Sequence, residues 1–180
     1  MNQFGLEPRP TGKARFAMLD LIANDFLKAW RAPAKDRLVD HTGASVDPAD
    51  WLGGYVLAVF GLAGFDRGRR ALSSLCSALD LFDLPEETVR LIFVTIDPAH
   101  DTPAAMAHFL RPDFPRVAGI TGETSALRSL FRACTSAPDT EHELSRCDFI
   151  YVINPDGHPI GRWPAAMELE EMILHMGRIV

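Results

Sequence analysis

Two patterns of apolar side chains alternate along most of this sequence. Residues 55–60 (YVLAVF) and 89–96 (VRLIFVTI) are nearly continuous apolar runs of strand length, which predicts two strands covered on both faces. Between them, residues 66–82 repeat leucines at helical spacing and predict a helix. The remaining elements predict an α/β sandwich: a short strand and turn at 38–43, a turn at 45–50, strands at 117–120, 149–153 and 158–163, and helices at 102–110, 125–134 and 167–176.

Residues 13–31 carry a separate amphipathic pattern near the N-terminus. Acidic and basic residues mix on the polar face, which disfavours a membrane surface as the partner of this helix. Its apolar stripe is covered either by the protein's own domain or by the groove of another protein. We expect an N-terminal arm over 1–35 and a domain over 36–180, and the candidate partner-binding stripe is Phe16, Leu19, Ile22, Phe26 and Trp30.

Composition narrows the class of protein. The 180 residues are 47% hydrophobic and carry 18 Lys and Arg against 24 Asp and Glu, a net charge of −6. This composition is that of a globular chain and excludes collagen-like and disordered classes, while the acidic balance disfavours nucleic acid as a partner.

The first 12 residues lack the pattern of a signal peptide, and the stretch 16–30 is too short and too charged to span a bilayer. The sequence therefore predicts a soluble, cytoplasmic protein without a transmembrane segment.

The cysteines exclude a dithiol or zinc-ribbon motif. There are three, Cys76, Cys134 and Cys147, an odd number with no CxxC or CxxxC pair among them. We expect reduced and largely buried thiols. The chain also lacks a Gly-rich phosphate loop, a GxSxG elbow and an HExxH helix, which disfavours an enzyme.

Several motifs resemble those of the Sco/SenC family, the copper-handling assembly factors of cytochrome oxidase. The most specific is the decapeptide at 94–103, VTIDPAHDTP, and others are DHTG at 40–43, WLGGYVLAVFG at 51–61, GITG at 119–122 and YVINPDG at 151–157. The resemblance spans about residues 36–180. It implies a thioredoxin-like fold, with a central mixed sheet flanked by helices.

Members of this family bind copper through two cysteines in a CxxxC loop and one histidine. Carried over in register, the resemblance puts Phe65 and Arg69 at the two cysteine positions and Arg146 at the histidine position. A guanidinium is permanently charged and has no lone pair for a metal. The resemblance therefore implies a degenerate metal site, with no metal or other cofactor and no thiol chemistry at these positions.

A thioredoxin-like scaffold without its metal ligands still offers a surface for binding. The simplest function for it is that of a protein-interaction or accessory assembly subunit. The candidate surfaces for another protein, acidic or not, are the stripe above and a loop made of Phe65, Arg67, Arg69, Arg70 and Arg146. This loop is also the candidate site for a small anion. Two alternatives stay open: a copper-handling or thiol-redox protein with displaced ligands, and an anion-binding domain that uses the arginines. The displaced ligands would be Cys147, His100 and His142. A homo-oligomer also stays open.

The DP-x-x-DTP segment contains a close pair of carboxylates. Asp97 and Asp101 are expected to serve the turn, and Thr102 and Pro103 to begin the next helix as its N-cap and first residue.

Overall fold

The computed structural model describes residues 38–135 and 148–180. Within these two ranges the chain forms seven strands and four α-helices. The strands are β1 (Leu38–Asp40), β2 (Ser45–Val46), β3 (Tyr55–Gly61), β4 (Val89–Thr95), β5 (Val117–Gly122), β6 (Phe149–Ile153) and β7 (Pro159–Pro164). The α-helices are α1 (Asp66–Phe82), α2 (Pro103–Leu110), α3 (Thr124–Thr135) and α4 (Leu169–Met176), and Pro48–Trp51 is a 3-10 helix.

The strands form one mixed sheet in the order β2-β1-β5-β4-β3-β6-β7. Its centre is parallel, with β4 between β3 and β5, and the outer strands join antiparallel. The predicted central mixed sheet flanked by helices is therefore confirmed. Because β3 and β4 are parallel, the loops that leave their carboxyl ends meet at one edge of the sheet.

Two apolar cores explain the continuous runs of the central strands. Along β3, Leu57 and Val59 pack with α1, α2 and α4, whereas Val56, Ala58 and Phe60 pack with α3 on the other face. Alternate residues of a strand point to opposite faces, so a strand with a core on each side needs apolar side chains throughout.

The predicted strands and helices are confirmed within one to two residues at most ends. The turn predicted at 45–50 is instead the two-residue strand β2 followed by the 3-10 helix. A two-residue strand is too short to show a period, and Asp47 caps the 3-10 helix by accepting from the backbone N–H of Ala49 at 2.9 Å. The predicted N-terminal helix and arm lie outside the described residues.

In the described part of the chain, every helix is too short or too polar to cross a bilayer.

Candidate functional site

The loop between β3 and α1 lies at the carboxyl edge of the sheet. A glycine, Gly64, supplies a positive φ of 91° there, and Phe65 is the N-cap residue of α1. The Phe65 side chain is 64% exposed, the only aromatic one among the large apolar side chains exposed in the described residues. The expectation that Arg67, Arg69 and Arg70 follow at a helix N-terminus is confirmed, because α1 begins at Asp66.

The guanidinium of Arg69 is fixed against the end of α2. It forms an ion pair with Asp113, and its Nη2 donates to the carbonyl oxygen of Phe109 at 3.4 Å. The guanidinium carbon also lies 5.2 Å from the ring centroid of Phe109 and 5.5 Å from that of Phe114, within the range of a cation–π contact. Arg69 therefore joins the first turns of α1 to the segment between α2 and β5.

The other arginines of the loop are more exposed. Arg67 forms an ion pair with Asp148, which lies just before β6. Arg70 is exposed and makes no hydrogen bond or ion pair with another residue of 38–135 or 148–180. Carboxylates distant in the sequence thus pair with two of the three arginines of this loop.

Buried Asp101 anchors this loop to the sheet. Its Oδ2 accepts from the backbone N–H of Ala63 at 3.0 Å and from the hydroxyl of Thr95 at 2.5 Å. The carbonyl oxygen of Asp101 accepts from the hydroxyl of Thr121 at 2.8 Å. Asp101 is 6% exposed and joins the β3–α1 loop to the ends of β4 and β5. The sequence pattern indicated only a role in the local turn for this residue.

The start of α2 agrees with the prediction. Thr102 is the N-cap, accepting from the backbone N–H of Ala105 at 3.3 Å, and Pro103 is the first helical residue. In the same loop, the Nδ1 atom of exposed His100 lies 2.8 Å from Oδ2 of Asp97. Asp97 therefore serves the turn as expected.

At the two described positions carried over from the family's cysteines, the side chains do not fit a copper ion. Phe65 offers no donor atom, and Arg69 presents a cation that is already paired. The described residues contain no group of three His, Cys, Asp or Glu side chains that could hold a metal. Arg146 and two of the three displaced-ligand candidates, His142 and Cys147, lie outside the described residues.

The two described cysteines are free thiols in apolar surroundings. Burial is the main cause that raises the pKa of Cys76 to about 11; nearby Asp80 raises it further and Arg116 opposes the change. Cys134 belongs to α3 and is buried in the core, and burial raises its pKa as well. Both thiols stay protonated near neutral pH, as expected for structural rather than reactive cysteines.

The thioredoxin-like fold and the motifs at the sheet edge define a member of the Sco/SenC class. A SCO1/SenC family model matches residues 33–180, and the chain belongs to this family. The SCO2 homolog of Danio rerio mitochondria is 33% identical over 67% of this chain and 47% of that protein. The mitochondrial SCO2 homolog of Mus musculus is 32% identical over 67% of this chain and 51% of that protein. The chain thus spans about half the length of these curated relatives.

Solved structures share the fold. The ScoI protein of Bradyrhizobium japonicum, solved with copper bound, has a TM-score of 0.60 at 22% identity, covering 81% of this chain and 97% of that chain. Apo Sco1 of Thermus thermophilus has a TM-score of 0.64 at 17% identity, covering 81% and 90%. At these identities the likeness concerns the fold alone.

Proposed function

We propose that this chain is a Sco/SenC protein without copper or dithiol chemistry at the family's loop, and that it acts by binding another protein as an accessory or assembly subunit. The observation that carries the proposal is the set of contacts made by Arg69, which stands at one of the family's two cysteine positions. Its guanidinium is held by Asp113 and lies over two aromatic rings. The position is occupied by a cation with a structural role of its own.

The available donor atoms support the same proposal. Copper binding in a thiolate site needs soft, negatively charged donors. The first turn of α1 presents Asp66 and two arginines, and the arginines are paired with Asp148 and Asp113. This turn therefore offers guanidinium groups and hard carboxylates but no soft donor.

The exposed side chain of Phe65 supports an interaction role. An aromatic residue that is 64% exposed and precedes arginines at positions 67, 69 and 70 matches the composition enriched in protein interfaces. Arg70 adds a positive charge that no described carboxylate neutralises, which favours an acidic partner surface. The relatives named above are about twice as long as the part that matches this chain, so their partners are not carried over to it. The partner is inferred only from the chemistry of this surface.

Anaerobic competition for Cu(I) against bicinchoninate tests the loss of copper chemistry. We expect the wild-type chain to leave the metal with the chelator. The double variant Phe65→Cys/Arg69→Cys should acquire about one Cu(I) per chain, because it restores two thiolates at the helix N-terminus.

The matched control is Cys147→Ser, which removes the thiol that could act as a displaced ligand. Uptake of one Cu(I) per wild-type chain against the chelator would contradict the proposal. If that uptake disappeared in Cys147→Ser, the displaced-ligand alternative would replace it.

Site-specific photo-crosslinking tests the interaction surface. A photoreactive side chain at position 65 should give a discrete crosslinked species in an extract of the native host. Leu81, near the far end of the same helix, is 66% exposed and provides a control position of equal accessibility. Equal crosslinking from both positions, or from neither, would argue against Phe65 as the contact.

The anion-binding alternative has weaker support. Arg67 and Arg69 already have carboxylate partners, so a small anion in the loop would have to compete with Asp148 and Asp113.

A further inference from the structure

The turn that follows β1 is tied to β5 by a histidine side chain. The last residue pair between these two strands is Asp40 with Ile120, so His41 stands opposite Gly119. At this position the backbone N–H of Gly119 donates to Nδ1 of His41 at 3.1 Å. The imidazole ring thus supplies the acceptor for the amide of a buried residue at the point where β1 ends.

The direction of this hydrogen bond fixes the protonation of the ring. A backbone N–H can only donate, so Nδ1 of His41 holds a lone pair and the single ring proton lies on Nε2. An imidazolium carries protons on both nitrogens and would set one donor against another. Protonation of His41 therefore breaks the bond and leaves the Gly119 amide without its acceptor.

The two residues approach each other closely because position 119 has no side chain. A Cβ atom at Gly119 would lie 3.2 Å from the Cβ of His41 and 2.8 Å from Cδ1 of Leu110. Glycine at this position lets the histidine lie against β5 at the distance that the hydrogen bond requires.

Water reaches the ring from one side. His41 is half-buried and borders a cavity of about 160 Å³, which has room for several water molecules. The charged residues in the cavity wall are Glu86, Arg90 and Arg116, and Arg116 pairs with Asp80. These two cations and two carboxylates balance, so they do not compensate an imidazolium for the lost hydrogen bond.

The neighbouring carboxylate of Asp40 is engaged in the turn. Its Oδ1 accepts from the backbone N–H groups of Thr42 and Ala44 at 2.8 Å and 3.0 Å, and from the Thr42 hydroxyl at 2.6 Å. Burial alone would raise the pKa of Asp40, but these hydrogen bonds lower it overall. Asp40 therefore stays ionised at mildly acidic pH, where histidines take up a proton.

We propose that His41 is a pH-sensitive link between β5 and the β1–β2 edge, residues 38–46: the neutral ring holds this edge, and acidification loosens it. The strands of the edge are short, with three residue pairs between β1 and β5 and two between β1 and β2. Residues 1–37 join the fold at Leu38, so their attachment loosens with the edge. The inference goes beyond the proposed function and does not rest on it, because the hydrogen bond and the cavity involve no residue of the β3–α1 loop.

Hydrogen exchange of the Gly119 amide in the full chain tests this link. After correction for the intrinsic effect of pH, its protection relative to the Ile92 amide should fall about tenfold or more from about pH 8 to about pH 5, as expected for the loss of one buried hydrogen bond. His41→Gln keeps an acceptor that does not titrate, so its protection should stay constant. His41→Leu has no acceptor and should be poorly protected at both values, whereas His108→Gln, at an exposed position of α2, should behave as the wild type does.

The tautomer of the ring is an independent measurement. Long-range ¹H–¹⁵N correlation spectra of the wild type at about pH 8 should show His41 with Nδ1 unprotonated and Nε2 protonated. The opposite tautomer would show that the ring does not accept from Gly119 and would overturn the proposal. Protection of the Gly119 amide that is independent of pH in the wild type, or that falls equally in His41→Gln, would overturn it as well.

Discussion

Replacing Asp101 by alanine is expected to lower the free energy of unfolding by about 3 kcal/mol, since it leaves two hydrogen-bond donors without their buried acceptor. Those donors are the backbone N–H of Ala63 and the hydroxyl of Thr95. Urea unfolding followed by circular dichroism measures the loss. Hydrogen exchange at the Ala63 amide should accelerate by more than global unfolding explains, because this hydrogen bond ties the β3–α1 loop to the sheet.

The control for this change lies four residues away. Asp97→Asn removes a carboxylate from the same loop, but Asp97 contacts the exposed side chain of His100. Its effect should stay within about 0.5 kcal/mol, as for other surface contacts. Asp101→Asn retains one acceptor oxygen and should lie between the two. An Asp101→Ala protein as stable as Asp97→Asn would show that the loop does not depend on this anchor.

The Phe93→Ala variant should lose about 3–5 kcal/mol, the usual range for removing a fully buried aromatic ring. Phe93 is 0% exposed, and its ring centroid lies 5.0 Å from that of Phe109, whose ring also contacts Arg69. The ring therefore packs against the end of β3 at Gly61, the first turn of α1 at Gly68, and Phe109. Urea unfolding at constant m-value provides the measurement, and a loss below about 1 kcal/mol would contradict this role.

A double-mutant cycle with Gly68 isolates the contact between ring and helix. A Cβ atom added at Gly68 would lie 2.9 Å from Cε2 of Phe93. Alanine is favoured over glycine in helices by up to about 1 kcal/mol, but here the buried ring opposes that gain. Gly68→Ala should therefore be less favourable in the wild type than in Phe93→Leu. Equal effects in both backgrounds would exclude steric coupling.

The sheet and its helices were predictable because each central strand has a core on both faces. The runs at 55–60 and 89–96 are continuous, of strand length and rich in β-branched and aromatic residues, which favours buried strands, and the leucines of α1 fall on one face. The N-cap at Thr102 was predictable for a different reason, since the Thr-Pro pair is itself a local signal for a helix start.

The contacts of the candidate site could not be predicted because their partners are distant in the sequence. Asp113 lies 44 residues from Arg69, and Asp148 lies 81 residues from Arg67. Aligning the sequence with the family motif identifies which residue stands at a ligand position. Only the fold shows which carboxylate forms an ion pair with that residue. The sequence therefore indicated an arginine-rich loop without its two carboxylate partners, Asp113 and Asp148.

The contacts of Asp101 could not be predicted from the sequence either. The motif contains two carboxylates four residues apart, and both suit a turn. The two carboxylates differ in burial. Buried Asp101 accepts a hydrogen bond from Ala63, 38 residues away in the sequence, whereas Asp97 contacts the neighbouring exposed side chain of His100. A local pattern carries no information on that difference.

The pairing of Arg69 with Asp113 also bears on how the sequence can change over generations. A codon change from arginine to cysteine at position 69 would introduce one thiol, but it would leave the Asp113 carboxylate unpaired and remove the cation from the Phe109 and Phe114 rings. A single thiol at position 69, without a second at position 65, would offer only half of the thiolate pair. An Arg69→Cys change made first thus loses contacts without gaining a binding site, whereas Phe65 is 64% exposed and its change removes neither the ion pair nor the ring contacts. The order of the two changes therefore decides their cost.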